Sequence, residues 1–234
     1  GYWALRVNIS GQKNTAIGYE NMYSNTTGQQ NVSIGYVSFY ANTTGSYNTA
    51  LAPYALRLNT TGNKNVAVGY QSLYSNTTAS ENIAVGYNAL YANTTGTQNV
   101  AIGHWALDSI TTGGYNVGVG GYVLEKVTTA SNNTGMGYGT LQANLAGTNN
   151  SAYGYKAAYL NRTGNANTAL GRQALYNNTT ADNNTALGNY AMGGNTTGTA
   201  NIAVGSDSMI TNTTGSSNTV VGFNALYSNT TASN

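Results

Sequence analysis

Asparagine followed two residues later by serine or threonine is the acceptor signal for N-linked glycans. The chain carries it at Asn8, Asn25, Asn42, Asn59, Asn76, Asn93, Asn161, Asn178, Asn195, Asn212 and Asn229. These eleven sites lie 17 residues apart, or a multiple of 17. If they share one corner of a repeating coil, glycans there would form a stripe of covalently attached saccharides. The same Asn-Thr-Thr triplets are good turn formers in their own right. Further sequons at Asn31, Asn132, Asn149, Asn177 and Asn183 fall where asparagine and threonine are merely abundant. Stacked threonines such as Thr26, Thr43, Thr60, Thr77 and Thr94 suggest the water-ordering arrays of ice-binding solenoids, but a turn setting suits a flat array badly. Twenty tyrosines, many at two fixed places in the repeat, would line up as aromatic ladders for packing or for stacking on sugars.

Other chemistry has little to build on. His104 is the only histidine and takes a slot usually held by tyrosine. Asp108, Glu125, Asp182 and Asp207 fall in different repeats with no recurring partner, so no base is placed to activate the many hydroxyls. Cysteine is absent, which removes thiolate chemistry and disulfides and suits an exported protein. The acidic spacing of calcium-binding nonapeptide rolls is missing. These residues predict no enzyme, no catalytic residue, no metal and no cofactor.

Charged side chains are 6% of the chain and the formal net charge is +2. Arg6, Lys13, Arg57, Lys64, Lys126, Lys156, Arg162 and Arg172 are scattered, which argues against nucleic acid as a partner. No apolar run approaches the roughly 18 residues that span a bilayer, and no signal peptide is visible, so membrane insertion is not expected.

The element that must position all these residues is a repeat. Asparagine recurs every 17 residues at Asn14, Asn31, Asn48, Asn65, Asn82, Asn99, Asn116, Asn133, Asn150, Asn167, Asn184, Asn201 and Asn218, without insertion or deletion. Such strict length is the signature of stacked coils, where one extra residue would shift every later contact. With each of these asparagines as position 1, the coil reads Asn, Thr/Val/Ile, Ala, Ile/Val/Leu, Gly, Tyr, variable, Ala, Leu, Tyr, variable, Asn, Thr, Thr, Gly and two variable residues. Position 5 is glycine except at Ala52, position 9 is always apolar, and position 15 is only glycine or alanine.

Seventeen residues are too few for a pair of helices. Two glycines, β-branched residues at positions 2 and 4 and the Asn-Thr-Thr corner predict short strands at positions 2–4 and about 7–10. The expected fold is all-β: a parallel β-solenoid of about fourteen coils over residues 1–234, rising about 4.8 Å per coil into a rod on the order of 65 Å long. Ile17, Ile34, Leu51, Val68, Val85 and Ile102 at position 4 are expected inside, against the position-9 leucines, with the small residue at position 3 pointing out. The position-1 asparagines are expected to form an amide ladder that satisfies corner carbonyls. Because Ala52 precedes Pro53, position 5 is not expected to demand positive φ, its glycine being selected against a colliding Cβ; the position-6 amide is expected to make no ladder bond.

A longer period of 51 residues appears in Ala79, Ala130, Ala181 and Ala232 at position 15 and in the small residues at position 11. Duplication of three-coil blocks accounts for it, and a surface met once per three coils is the alternative. Ile110 and Val127 replace the position-12 asparagine, either by drift or as a lateral apolar contact.

The segments Asn14–Gly18, Asn99–Gly103 and Asn201–Gly205 resemble the head repeats of trimeric autotransporter adhesins, and similar tandem repeats occur in bacterial surface proteins and phage tail fibres. That resemblance implies a left-handed β-roll, often trimeric and displayed outside the cell. The coil here is about three residues longer than the familiar one, the extra length falling on the Asn-Thr-Thr corner; no neck or stalk is seen. Neither end carries a capping repeat, so the expectation is one segment of a longer rod or a subunit stacked end to end. Function is therefore read as a structural extracellular fibre that self-associates end to end or laterally and carries glycans, with an adhesin or tail-fibre shaft binding cell-surface receptors as the alternative.

Overall fold

The computed structural model describes residues 1–233, none of them helical. The chain forms two compact units, Gly1–Asn116 and a second beginning at Val117. Each is an all-β parallel solenoid with one three-residue strand per coil. In the first these are β1 (Thr15–Ile17), β2 (Val32–Ile34), β3 (Thr49–Leu51), β4 (Val66–Val68), β5 (Ile83–Val85) and β6 (Val100–Ile102). In the second they are β7 (Val117–Val119), β8 (Thr134–Met136), β9 (Ser151–Tyr153), β10 (Thr168–Leu170), β11 (Thr185–Leu187), β12 (Ile202–Val204) and β13 (Thr219–Val221). Within each unit, neighbours pair in sequence order with equivalent residues opposite one another. Ile17 faces Ile34 across β1 and β2, and Leu170 faces Leu187 across β10 and β11.

Positions 7–10 are not a second strand. Left-handed backbone at positions 7 and 9 turns the chain there, as at Gln71 (φ +53°) and Leu73 (φ +49°), or Lys156 (+53°) and Ala158 (+49°). An L residue in that region costs about 1–2 kcal/mol. Burying a leucine contributes about 1.5–3 kcal/mol, and Leu56, Leu73, Leu90 and Leu175 are wholly enclosed. The turns also keep axial bonds: Leu56 N donates to Ser72 O at 3.0 Å and Leu58 N to Tyr74 O at 3.1 Å. Burial and these rungs together outweigh the backbone strain.

The strand faces are the reverse of the expected ones. Position 3 points inward, with Ala50, Ala67, Ala84, Ala101 and Ala186 fully buried, while Ile17 is 55% and Ile34 42% exposed. Side chains alternate along a strand, so with position 3 inward positions 2 and 4 must both face out. The space it enters is already filled by position 9 and by small residues at position 8. A Cβ on Gly135 would lie 2.7 Å from Val123 Cγ2. Where position 3 is Ser33, position 8 is Ser38, and the two hydroxyls meet at 2.8 Å. An isoleucine cannot enter so thin a core, and goes out.

Position 5 also departs from expectation. Its backbone does take positive φ, +132° at Gly18 and Gly69 and +123° at Ala52. The expected collision is present as well, a Cβ on Gly18 falling 2.1 Å from Gly35 O. Ala52 tolerates the conformation because it keeps the rung of its neighbours: Ala52 N to Ile34 O and Gly69 N to Leu51 O are both 2.9 Å. Beside it, Pro53 occupies a slot that works through its carbonyl, Gln71 N reaching Pro53 O at 3.2 Å just as Asn88 N reaches Tyr70 O at 3.0 Å.

Replacing Ala52 with glycine is expected to stabilise the fold by about 1 kcal/mol. Relief of about 1–3 kcal/mol of strain is set against about 0.4–1 kcal/mol of added unfolded-chain entropy. Urea unfolding checks it, and a loss of stability would refute the strain. Gly135→Ala should cost about 1–3 kcal/mol, most of it recovered when Val123→Ala is added; simple additivity in a double-mutant cycle would show that the two do not compete for space.

Candidate functional site

Two asparagine ladders run inside each unit. At position 1, Asn48 N donates to Asn31 Oδ1 at 2.8 Å and Asn48 Nδ2 to Gly62 O at 2.9 Å. The pattern runs from Asn14 to Asn116 in the first unit and from Asn133 to Asn218 in the second. At position 12, Asn42 Nδ2 donates to Asn25 Oδ1 at 2.7 Å and to Gly45 O at 3.0 Å. Gly45 O also receives Asn31 Nδ2 at 2.9 Å, so one corner carbonyl is held by both ladders. Gly198 O repeats this in the second unit, with Asn184 and Asn195 each donating at 2.9 Å.

This geometry corrects the glycan expectation for position 12. Asn25, Asn42, Asn59, Asn76, Asn93, Asn161, Asn178, Asn195 and Asn212 are fully buried. The Nδ2 atom that would carry a sugar bridges the previous coil and its own corner, as at Asn76 (to Asn59 Oδ1, 2.7 Å; to Ala79 O, 3.0 Å). An attached saccharide would remove a bonding hydrogen and cannot fit the interior. Asn8 and Asn229, in the outermost coils, are the only two of the eleven not buried. The sequence signal that could have revealed the ladder is Ile110 and Val127, since apolar residues replace asparagine where the slot is internal. Both are fully buried, so neither makes a lateral surface contact. Asn93 Oδ1, facing the coil of Ile110, has no partner.

The position-13 hydroxyls are committed too. Thr26 Oγ1 donates to Thr43 O at 2.9 Å and Thr60 Oγ1 to Thr77 O at 3.0 Å, so this column is not a free array. Position 16 adds another ladder: Asn63 Oδ1 accepts from Ser46 N at 2.8 Å and Asp182 Oδ1 from Asn165 N at 2.6 Å.

Outward, each unit presents a sheet face of positions 2 and 4, exposed at Ile34 and Ile83 in the first and at Leu170 and Ile202 in the second. Beside it runs an aromatic column. In the first unit Tyr2, Tyr19, Tyr36, Tyr54, Tyr70, Tyr87 and Trp105 follow one another with centroids 5.4–5.9 Å apart. Where position 6 is Pro53, His104 or Gly121, position 7 supplies Tyr54, Trp105 or Tyr122 instead. Tyr19 and Tyr36 lie 5.4 Å apart at an interplanar angle of 13°. Rings that close and that parallel overlap as an offset stack, so much of the face a sugar would need is turned to the neighbouring ring.

Electrostatics on this surface are local. Glu81 accepts from Gln98 and pairs with Lys64 at 3.3 Å, and these contacts hold its carboxyl below the usual range. A hydrogen bond with Glu20, followed by desolvation, raises the Tyr19 phenol. Desolvation pulls the Lys156 ammonium down, but the tyrosines around it, Tyr155 foremost, raise it overall. Among the described residues no group of three or more His, Asp or Glu side chains could hold a metal ion.

Asn76→Ala removes two donated bonds and the one accepted from Asn93 Nδ2 at 3.0 Å. It should cost on the order of 2–4 kcal/mol, whereas exposed Thr78→Ala should stay within about 0.5 kcal/mol of the parent. Equal effects in urea unfolding would show that the amide ladder does not carry stability. No protein-family model, curated protein or solved structure matches this chain.

Proposed function

We propose that the chain is a structural element of an extracellular fibre, assembled by copies of itself. The observation that carries this reading is the outward sheet face. Parallel strands ordinarily have both faces covered, and contiguous exposed apolar surface marks an association site. Here Ile17, Ile34, Ile83 and Ile102 in one unit, and Met136, Leu170, Ile202 and Val221 in the other, stand exposed in register on such strands. A second copy has the same columns at the same spacing, so apolar rows can pack along their whole length. Stacking coil on coil, end to end, would extend the ladders within each unit by the same chemistry. The scarcity of charge supports self-packing, since few like charges meet when copies align. The likeness to bacterial surface repeats supports a place outside the cell.

Electron microscopy of the assembled protein tests the reading, with fibre diffraction expected to show an axial repeat near 4.8 Å. Ile34→Glu, Val68→Glu and Ile102→Glu together place charges on alternate coils, about one Debye length apart. The triple variant should keep its circular dichroism and a thermal midpoint within about 4 °C, yet lose lateral association in sedimentation. A discrete oligomer that binds cells or glycans and never elongates would overturn the fibre assignment in favour of a receptor-binding shaft.

A further inference from the structure

We infer that the threonines at position 14 are acceptors for O-linked saccharides, giving the molecule its glycan stripe on hydroxyls rather than on the buried asparagines. The column runs from Thr27 to Thr129 and again from Thr163 to Thr231, with Ala146 the single coil in that span lacking the hydroxyl. Every one of these threonines is exposed. None of their hydroxyls has a hydrogen-bond partner among the described residues. The contrast with position 13 is direct: there threonine recurs because its Oγ1 donates to the next coil, as Thr43 does to Thr60 O at 3.1 Å.

Two observations show that the fold itself does not require the position-14 hydroxyl. At Ala146 the turn forms without it, Ala146 N donating to Arg162 O at 3.0 Å just as Thr163 N donates to Thr179 O at 3.1 Å. Shared descent of the coils does not explain the repetition either, because position 17 is also on the surface and has diverged to Lys13, Gln30, Tyr47, Glu81, Ala166 and Ser217. An exposed side chain that makes no hydrogen bond, yet recurs where position 17 drifts, answers to something outside the chain.

What such a residue offers is a neutral nucleophile on a projecting corner. The step uses a nucleotide-activated sugar and a glycosyltransferase. Threonine Oγ1 bonds to the anomeric carbon, the bond from that carbon to the phosphate oxygen breaks, and the nucleoside diphosphate leaves. The hydroxyl proton passes to the transferase's base. Phosphorylation fits the column poorly, since dianions one strand spacing apart, about 4.8 Å, would repel along its whole length. Neutral saccharides add no such repulsion and can lie one above another.

Peptide mapping by electron-transfer mass spectrometry, on protein isolated from the cells that make it, tests the inference. Saccharide mass increments are expected on position-14 threonines, lost on mild alkaline β-elimination and missing from Asn25, Asn42, Asn59 and Asn76. Bare position-14 threonines, phosphate increments, or sugars confined to position 13 would each overturn it. Thr44→Val, Thr61→Val and Thr78→Val made in the same cells should lose the increments of three coils while circular dichroism is unchanged; undiminished saccharide content would also overturn it. Filaments with unmodified threonines would sink this assignment and leave the fibre reading standing.

Discussion

The carbonyl at position 15 sits on a corner that no strand reaches, and two asparagine side chains from two separate ladders close on it. Gly28 O takes Asn14 Nδ2 at 2.8 Å and Asn25 Nδ2 at 3.0 Å. A buried carbonyl or amide left unpaired costs about 1–3 kcal/mol, so each coil depends on its neighbours presenting the same amides at the same height. That dependence explains the strict length of the repeat. An inserted residue would unpair every later rung at once, whereas a loop could absorb it. It also explains why glycine predominates at position 15: a Cβ on Gly28 lies 2.4 Å from Gly45 O, 2.5 Å from Asn25 Oδ1 and 2.7 Å from Asn42 Nδ2. The structure gives no physical account of why alanine is accepted at Ala79, Ala130 and Ala181.

Filling the interior with amides has a consequence for the surface. A thin coil has room for the position-9 side chain, two asparagines and little more, so positions 3 and 8 are small. The strand nevertheless needs residues that suit extended backbone, and β-branched side chains do. They are put outward. The exposed isoleucine columns and the polar core are therefore one design seen from two sides. With two amide columns sharing the interior with position 9, the larger β-branched residues of the strand are left on the outside.

Much of the fold is legible in the residues, and the illegible parts have physical causes. The period, the parallel register and the position-1 ladder follow from spacing, because Asn14, Asn31 and their equivalents leave no other arrangement that repeats without insertion. Pro53 correctly marked a slot whose amide is not used. The face of each strand was not legible, since the burial of large apolar residues is a tendency and not a rule, and a three-residue strand gives no alternation long enough to correct it. The turn at positions 7–10 was hidden because leucine, methionine and phenylalanine do not announce left-handed backbone; Leu56 and Phe39 both sit at φ +51°. Ala52 misled for a related reason, a local preference before proline giving way to the hydrogen bond its coil requires. The sequons misled because Asn-x-Thr is both an acceptor signal and the pattern an amide ladder beside a threonine ladder must produce.

Repeated coils in one molecule act as their own substitution series, and that separates inward causes from outward ones. Position 12 changes only to Ile110 and Val127, apolar residues of a buried slot. In the first unit the aromatic column moves from position 6 to position 7 at Tyr54 and Trp105 and keeps a ring in every coil, whereas Arg172–Gln173 and Ser206–Asp207 interrupt it in the second; Tyr54 meets Tyr36 and Tyr70 edge to face while Tyr19–Tyr36 and Tyr70–Tyr87 are stacked. Within the first unit ring contact is kept while ring orientation varies. Position 17 preserves almost nothing, although Lys64, Glu81 and Gln98 exploit its height to form a short polar chain. Each of these patterns has its cause within the chain. Position 14 is threonine in every coil from Thr27 to Thr231 except at Ala146, and no hydrogen bond within the fold accounts for that repetition.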